Sequence, residues 1–324
     1  MSKPDLIKDF QKNRQIRITT YSVILVCLAA IIAIERSTFG MPSILDPLMA
    51  TWDRPLATLS AGAGTSECTH NVWENLEACG WPGTKNTGYP PDIKLRVTSS
   101  RRITINNTII DGEKIIGGLI IAAKDVTVRN SWITSDFSFM GTGRAVSGTG
   151  VISLSSGASA IIDHCILDGS NATHAGIWHE GAVLVATSNN IFGVNDGIFS
   201  WGKSGDTNSG NNFRIEDNYL HDFTTLTANG HIDGYQTEGA SHGIIRHNVF
   251  YITQNQNAAV AIWNSTGDSD DILIENNLAA GSGFLMYAED YHPSEQNPRG
   301  GFSVTNIRHI NNKFSTALDR KSVV

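Results

Sequence analysis

One short phrase recurs eight times along this chain: two apolar residues at alternate positions, a polar pair, then an apolar residue. It reads Ile103-Thr104-Ile105-Asn106-Asn107-Thr108-Ile109-Ile110 at first, and Val126-Thr127-Val128-Arg129-Asn130-Ser131-Trp132-Ile133 next. Later copies end at Leu167, Phe192, Leu220, Phe250, Ala279 and Phe314, so the final apolar residues are spaced by 23, 34, 25, 28, 30, 29 and 35. Strand-like alternation at a period of that size marks a stacked-coil architecture. One coil cannot bury its own apolar face and needs the coils above and below to cover it. Inward columns are expected from Ile103, Ile105, Val126, Val128, Phe213, Ile215, Ile272 and Ile274, with hydrogen bonds running from coil to coil as in a parallel sheet. The second member of the polar pair is Thr108, Ser131, Cys165, Asn190, Asn218, Asn248, Asn277 and Asn312, five of the eight being Asn. Asn tolerates left-handed backbone and can hydrogen-bond its equivalents above and below, so an internal Asn ladder that turns each coil is expected.

Composition supports many short strands and tight turns: only 17% of the 324 residues are charged, and 31 are Gly. The recurrence favours one unit over residues 93–316 rather than two domains. A net charge of −7 argues against nucleic acid, whose phosphates demand a basic face. It leaves an acidic polysaccharide open as partner, because a local cleft can be basic on an acidic protein. No Cys or His pairs carry zinc spacing, and no Gly-rich phosphate loop opens a helix.

Residues 1–20 form a basic segment with Lys3, Lys8, Lys12, Arg14 and Arg17. Tyr21 to Ile34 is apolar apart from Ser22, and Glu35 and Arg36 end the run. Residues 21–36 therefore read as a transmembrane anchor or a signal helix, an uncleaved anchor being preferred. The charge bias places residue 1 in the cytoplasm and the repeats outside, so the protein is expected to be membrane-anchored with an extracytoplasmic domain, or secreted. Residues 37–66 read as a linker, and 317–324 as a tail. Residues 67–92 are expected to cap an exposed end coil. They hold Cys68 and Cys79, close enough for a disulfide in an oxidising compartment. Cys165 is expected to pack as a small apolar residue.

Asn-x-apolar turns after alternating strands, at this period, resemble the right-handed parallel β-helix superfamily that includes the pectate lyases. The lead-in Trp81-Pro82-Gly83-Thr84-Lys85-Asn86-Thr87-Gly88-Tyr89-Pro90 is similar to the opening of exported bacterial β-helix proteins of uncertain activity. The resemblance spans roughly residues 81–316. It implies an all-β fold, a single-stranded right-handed parallel β-helix of about eight coils behind the N-terminal transmembrane or signal helix. It also implies a polysaccharide lying along the coil axis.

The densest polar constellation lies between His179 and His247. Asn195-Asp196-Gly197-Ile198-Phe199-Ser200-Trp201 opens one segment, and His231-Ile232-Asp233-Gly234-Tyr235-Gln236-Thr237-Glu238 opens its equivalent one coil later. In register, Asp196 and Asp233 would stack at about one strand spacing, ~4.8 Å. Two stacked carboxylates call for a cation or a shared proton. The catalytic candidates are His231, Asp233 and Gln236, with Lys203 and Arg246 reaching in from neighbouring turns. A lyase needs a base, here Lys203, Arg246 or His231, and something to neutralise the uronate, which Ca²⁺ held by Asp196 and Asp233 would supply. The metal candidates are Asp196, Asp233 and Glu289. Trp201, Tyr235, Trp263 and Tyr287 are the aromatic candidates for sugar stacking. Plainer readings stand beside these. Asp-Gly is a turn dipeptide, His164 and His247 fall in the polar pair, and any single aromatic can fill a coil end. The leading expectation is a lyase-like polysaccharide enzyme. The alternatives are a non-catalytic glycan-binding or surface-attachment β-helix, and a glycoside hydrolase, although the Asp-Asp and Gly-His-Gly elements of polygalacturonase-like hydrolases are missing.

Overall fold

A computed structural model describes residues 68, 71–135, 150–202, 212–226, 230–254, 258–290, 292–293, 300–315 and 318. These belong to one compact unit, Pro55–Val324. The N-terminal helix expected at 21–36 lies outside the described residues. Among the described residues, no helix is long and apolar enough to cross a membrane.

The unit is all-β and its sheets are parallel, an arrangement compatible with a parallel β-helix. An eight-stranded sheet runs through Ile109–Asp111, Val126–Arg129, Ser159–Asp163, Val183–Thr187, Phe213–Glu216, Gly243–Arg246, Ser269–Glu275 and Val304–Ile310. Each strand pairs in parallel with the next one along. A thirteen-stranded sheet takes up the intervening strands. It has two arms. Trp132–Thr134, Tyr219–His221, Val249–Ile252, Leu278–Gly281 and Lys313–Ser315 lie on the first, and Gly150–Leu154, Tyr235–Thr237, Ala258–Trp263 and Phe284–Glu289 on the second. Four strands, Arg96–Ile103, Glu113–Ile121, Ile166–Glu180 and Asn190–Trp201, pass through both arms, with register shifts between Ser99 and Arg101 and between Phe192 and Val194.

The arms meet at a bend marked by glycine. A Cβ on Gly176 would stand 2.4 Å from Ile191 Cγ2, one on Gly197 2.4 Å from Leu220 Cδ2, and one on Gly234 2.3 Å from Phe250 Cδ1. All three glycines point into the apolar core, where no side chain fits. The residues just before them, Ala175, Asp196 and Asp233, therefore face the outer side of the bend. The core behind it is continuous and aliphatic: Val126, Val128, Phe213, Ile215, Ile272 and Ile274 are wholly buried. Ile105 is a correction, being 74% exposed after the first strand of the stack has ended at Ile103.

The polar pair divides its labour. Its first member, Asn107, Asn130, His164, Ser188, Asp217, His247, Asn276 or Asn311, takes positive φ between 49° and 60°. Asn, Asp and His are the non-glycine types enriched there. Its second member forms the ladder. The backbone N–H and side-chain amide of Asn218 both donate to Asn248 Oδ1, at 3.0 and 2.9 Å. Asn189 bonds Asn218 likewise, Asn248 bonds Asn277, and Asn277 bonds Asn312. The lowest Asn is Asn189, not Asn190, whose backbone pairs instead with Tyr219. Cys165 stands one rung below, its N–H donating to Asn189 Oδ1 at 2.9 Å, and burial pushes its thiol up to about 12.

The lead-in runs along the flank of the first arm instead of closing an end coil. Cys68 and Cys79 form a disulfide. Trp73 packs at a tilt on Tyr251 and donates to Ser315 Oγ at 2.7 Å, Trp81 stacks on His247, Gly88 N–H donates to Ser188 O at 2.9 Å, and Tyr89 stacks on Trp132. Those contacts descend from the last rung to an early one, so the segment is a strap tying the rungs together.

Candidate functional site

The outer bend and the outer face of the second arm carry the polar and aromatic residues singled out in the sequence. Asp196 and Asp233 do stack: Asp196 Oδ1 accepts the backbone N–H of Asp233 at 3.0 Å and the Asn195 side-chain amide at 3.0 Å. Asp233 Oδ1 in turn accepts the N–H of Ala258 at 2.8 Å. Each carboxyl thus satisfies an amide one rung up that the bend would otherwise leave unpaired. Both are almost wholly buried, Asp196 at 1% exposure and Asp233 at 0%. Burial first, and then the Asp233 charge, push the Asp196 carboxyl well above the usual carboxylate range, and Glu238 adds to the same effect. His174 Nε2 lies 3.4 Å from Asp196 Oδ2, and burial lowers that imidazole to about 4. Burial disfavours the charged form of both groups, and His174 Nδ1 has no hydrogen-bond partner among the described residues.

Along the second arm the register builds a file. Glu180 pairs with Trp201. Ser200 pairs with Thr237, and the Glu238 N–H donates to Ser200 O at 3.0 Å, which puts Glu238 on the next rung. Thr237 pairs with Ile262, so Trp263 follows, and Trp263 pairs with Glu289. Glu180, Trp201, Glu238, Trp263 and Glu289 thus occupy five successive rungs, acid and indole alternating at ~4.8 Å per step. Glu238 is fixed by donors: Gln236 Nε2 at 3.2 Å from Oε1, and Ser265 Oγ on Oε2. Beside the file, Phe199 stacks on Trp178 at 4.3 Å and 7°, with the Trp201 ring 5.6 Å from Trp178. His231 is exposed and meets Trp263 edge-on at 5.6 Å. Tyr287 donates to Glu289 Oε2, and that carboxylate pushes the phenol up to about 12.

Several expected members belong elsewhere. Arg246 sits on the eight-stranded sheet, 2.5 Å from Glu275 and 3.2 Å from Glu216, held in an ion ladder on the register that pairs those three residues. Tyr235 is wholly buried and stacks on Phe213 at 5.4 Å, because it shares the inward column of Ile198 and Val260. His242 pairs with Asp271 on the eight-stranded side. Lys203 lies outside the described residues. Ca²⁺ does not fit the expected ligands. Asp196 and Asp233 spend Oδ1 on backbone amides, whereas Glu289 stands two rungs above Asp233 and five residues along the strand, roughly 10 and 16 Å away in those directions. Among the described residues no group of three His, Cys, Asp or Glu could hold a metal ion.

Sequence reasoning missed Glu180, Glu238, His174 and the Trp178–Phe199 stack. Their signal was one of counting: the 37-residue offset that aligns Asp196 with Asp233 also aligns Trp201 with Glu238. No protein-family model matches this chain, and no curated protein matches it.

Proposed function

We propose that this chain is an exported or membrane-anchored right-handed parallel β-helix of the pectate lyase-like superfamily that holds a polysaccharide along the second arm. The observation that carries the reading is the five-rung file in which indole and carboxyl side chains alternate. Indole faces stack on sugar rings, carboxylates accept their hydroxyl hydrogens, and the file runs along the coil axis, the direction in which an extended polymer can meet every rung. Of the bases named for a lyase, Arg246 is committed to Glu216 and Glu275, His231 stands beside Trp263, and Lys203 lies outside the described residues. Glycan binding is therefore the activity we put first.

Hydrolysis is the second reading, on one observation. Glu180 and Glu238 stand two rungs apart on either side of Trp201, ~9.6 Å by strand spacing, at the wide end of the separation that lets a water enter between acid and base. The test is incubation of the full-length chain with a panel of neutral, acidic and amino-sugar polymers. Retardation in affinity gels without new ends supports binding alone. New reducing ends lost in Glu238→Gln support hydrolysis, and new unsaturated uronate absorbance restores the lyase. No retardation and no product with any polymer overturns the proposal.

A further inference from the structure

We infer that the polymer held on this file is a cationic amino-sugar chain, with unacylated amines, and not a uronate. The inference rests on the glycan reading and narrows its substrate. Glu180, Glu238 and Glu289 recur on alternate rungs, and among the described residues no Lys or Arg stands on the strands that carry the five rungs. At the foot of the file Arg102 reaches Ser155 Oγ at 3.5 Å, one rung below Glu180. Above it, a uronate would meet carboxylates at every second step. An ammonium meets the opposite situation. A carboxylate pairs with it from one rung, and an indole face attracts it from the next.

The indoles are an independent indication that a ligand belongs here. Trp201 and Trp263 are two rungs apart, ~9.6 Å along the axis, close to the rise of one disaccharide in an extended β-1,4-linked chain. Each disaccharide would meet one indole and one carboxylate in the same relative position. The Trp263 indole N–H, on the fourth rung, is buried and has no acceptor among the described residues. Glu238 is held in place before any ligand arrives by its bonds from Gln236 and Ser265, so little side-chain freedom is lost on pairing.

The experiment is titration of the full-length chain, by calorimetry, with hexamers of β-1,4-linked glucosamine, N-acetylglucosamine and galacturonate at two salt concentrations. The expected result is that the glucosamine hexamer binds at least 10-fold more tightly than the acetylated one, loses affinity with salt, and loses about 3-fold more in Glu180→Gln, the range of one charge pair in contact with water. The galacturonate hexamer should not bind. Tighter binding of galacturonate, or equal binding of the acetylated hexamer that Trp263→Ala abolishes, would overturn the amino-sugar inference and leave the glycan reading standing. Binding of none of the three, with the polymer panel also negative, sinks both. Unchanged glucosamine affinity in Glu238→Gln and Glu180→Gln would show that the file is not where the amines sit, and that also overturns the inference.

Discussion

The two arms of the thirteen-stranded sheet share strands, register and core, yet their outer faces are put to opposite uses. The first arm is covered: Leu76, Cys79 and Trp81 pack on Val249 and Leu278, with Trp73 and Tyr219 at the margin. Among the described residues no such strap lies on the second arm; its outer face presents the acid and indole file and exposed His231. An outward file that is covered contributes to stability, and one that is left open can contribute to recognition. The same alternation of side chains serves both, and what differs is whether another segment of chain lies on top.

Removing a rung of the Asn ladder should have the largest effect. Asn248→Leu orphans two amide donors and carbonyls in a dry corner, at roughly 1–3 kcal/mol each, so a loss of 4 kcal/mol or more in urea unfolding is expected. Survival of a stable fold would mean that the ladder does not hold the coils. Unfastening the strap comes next. Cys68→Ser with Cys79→Ser should cost about 3 kcal/mol, the value for a short closed loop, while glycan affinity stays unchanged; a parallel loss of affinity would show that the two arms are not separable.

Acidification should act on the core of the second arm. His179 is wholly buried, its Nδ1 3.3 Å from Ala182 O and its Nε2 on Ser200 Oγ, and burial lowers it to about 4 from 6.5. The unfolded chain takes up a proton below about pH 6.5 that the folded chain refuses. Stability is therefore unaffected above that pH, falls as pH drops toward 4 and levels off below, by about 3 kcal/mol in all. His179→Gln should flatten that slope in unfolding curves taken from pH 7.5 to 4. Asp196 has the opposite sign. Its raised carboxyl costs stability as pH rises above the ordinary carboxylate range, so Asp196→Asn should leave stability at pH 7 equal or higher, by on the order of 1 kcal/mol. A clear loss would assign it an ionised role. The smallest change in folding should come with the clearest change in binding. Trp263→Ala should weaken glycan retention about 10-fold, ~1.4 kcal/mol, with the unfolding midpoint hardly moved.

The stacking itself was legible, since alternation plus a recurring polar pair leaves a coil no other way to bury its aliphatic residues. The ladder was legible too, although it was read one residue too far at Asn190. The turn there is Ser188-Asn189, and two adjacent Asn offer no local signal to choose between them. The stacking of Asp196 on Asp233 followed from equal Asp-Gly segments. Their burial did not: Gly197 and Gly234 point into the core, so both carboxyls face the outer side of the bend, where each accepts a backbone amide of the next rung out of contact with solvent.

What the amino-acid sequence decided by itself is local and periodic: which residues alternate, which take the left-handed turn, which amides can climb from rung to rung. Tertiary structure alone decided which side chains became neighbours on the surface. Coils of unequal length, a register shift at Phe192 and a glycine bend each move a strand by a residue, and one residue is enough to exchange inside for outside. That is why Tyr235 vanished into the core while Glu238, three positions on, took the outward side that Trp201 and Trp263 share.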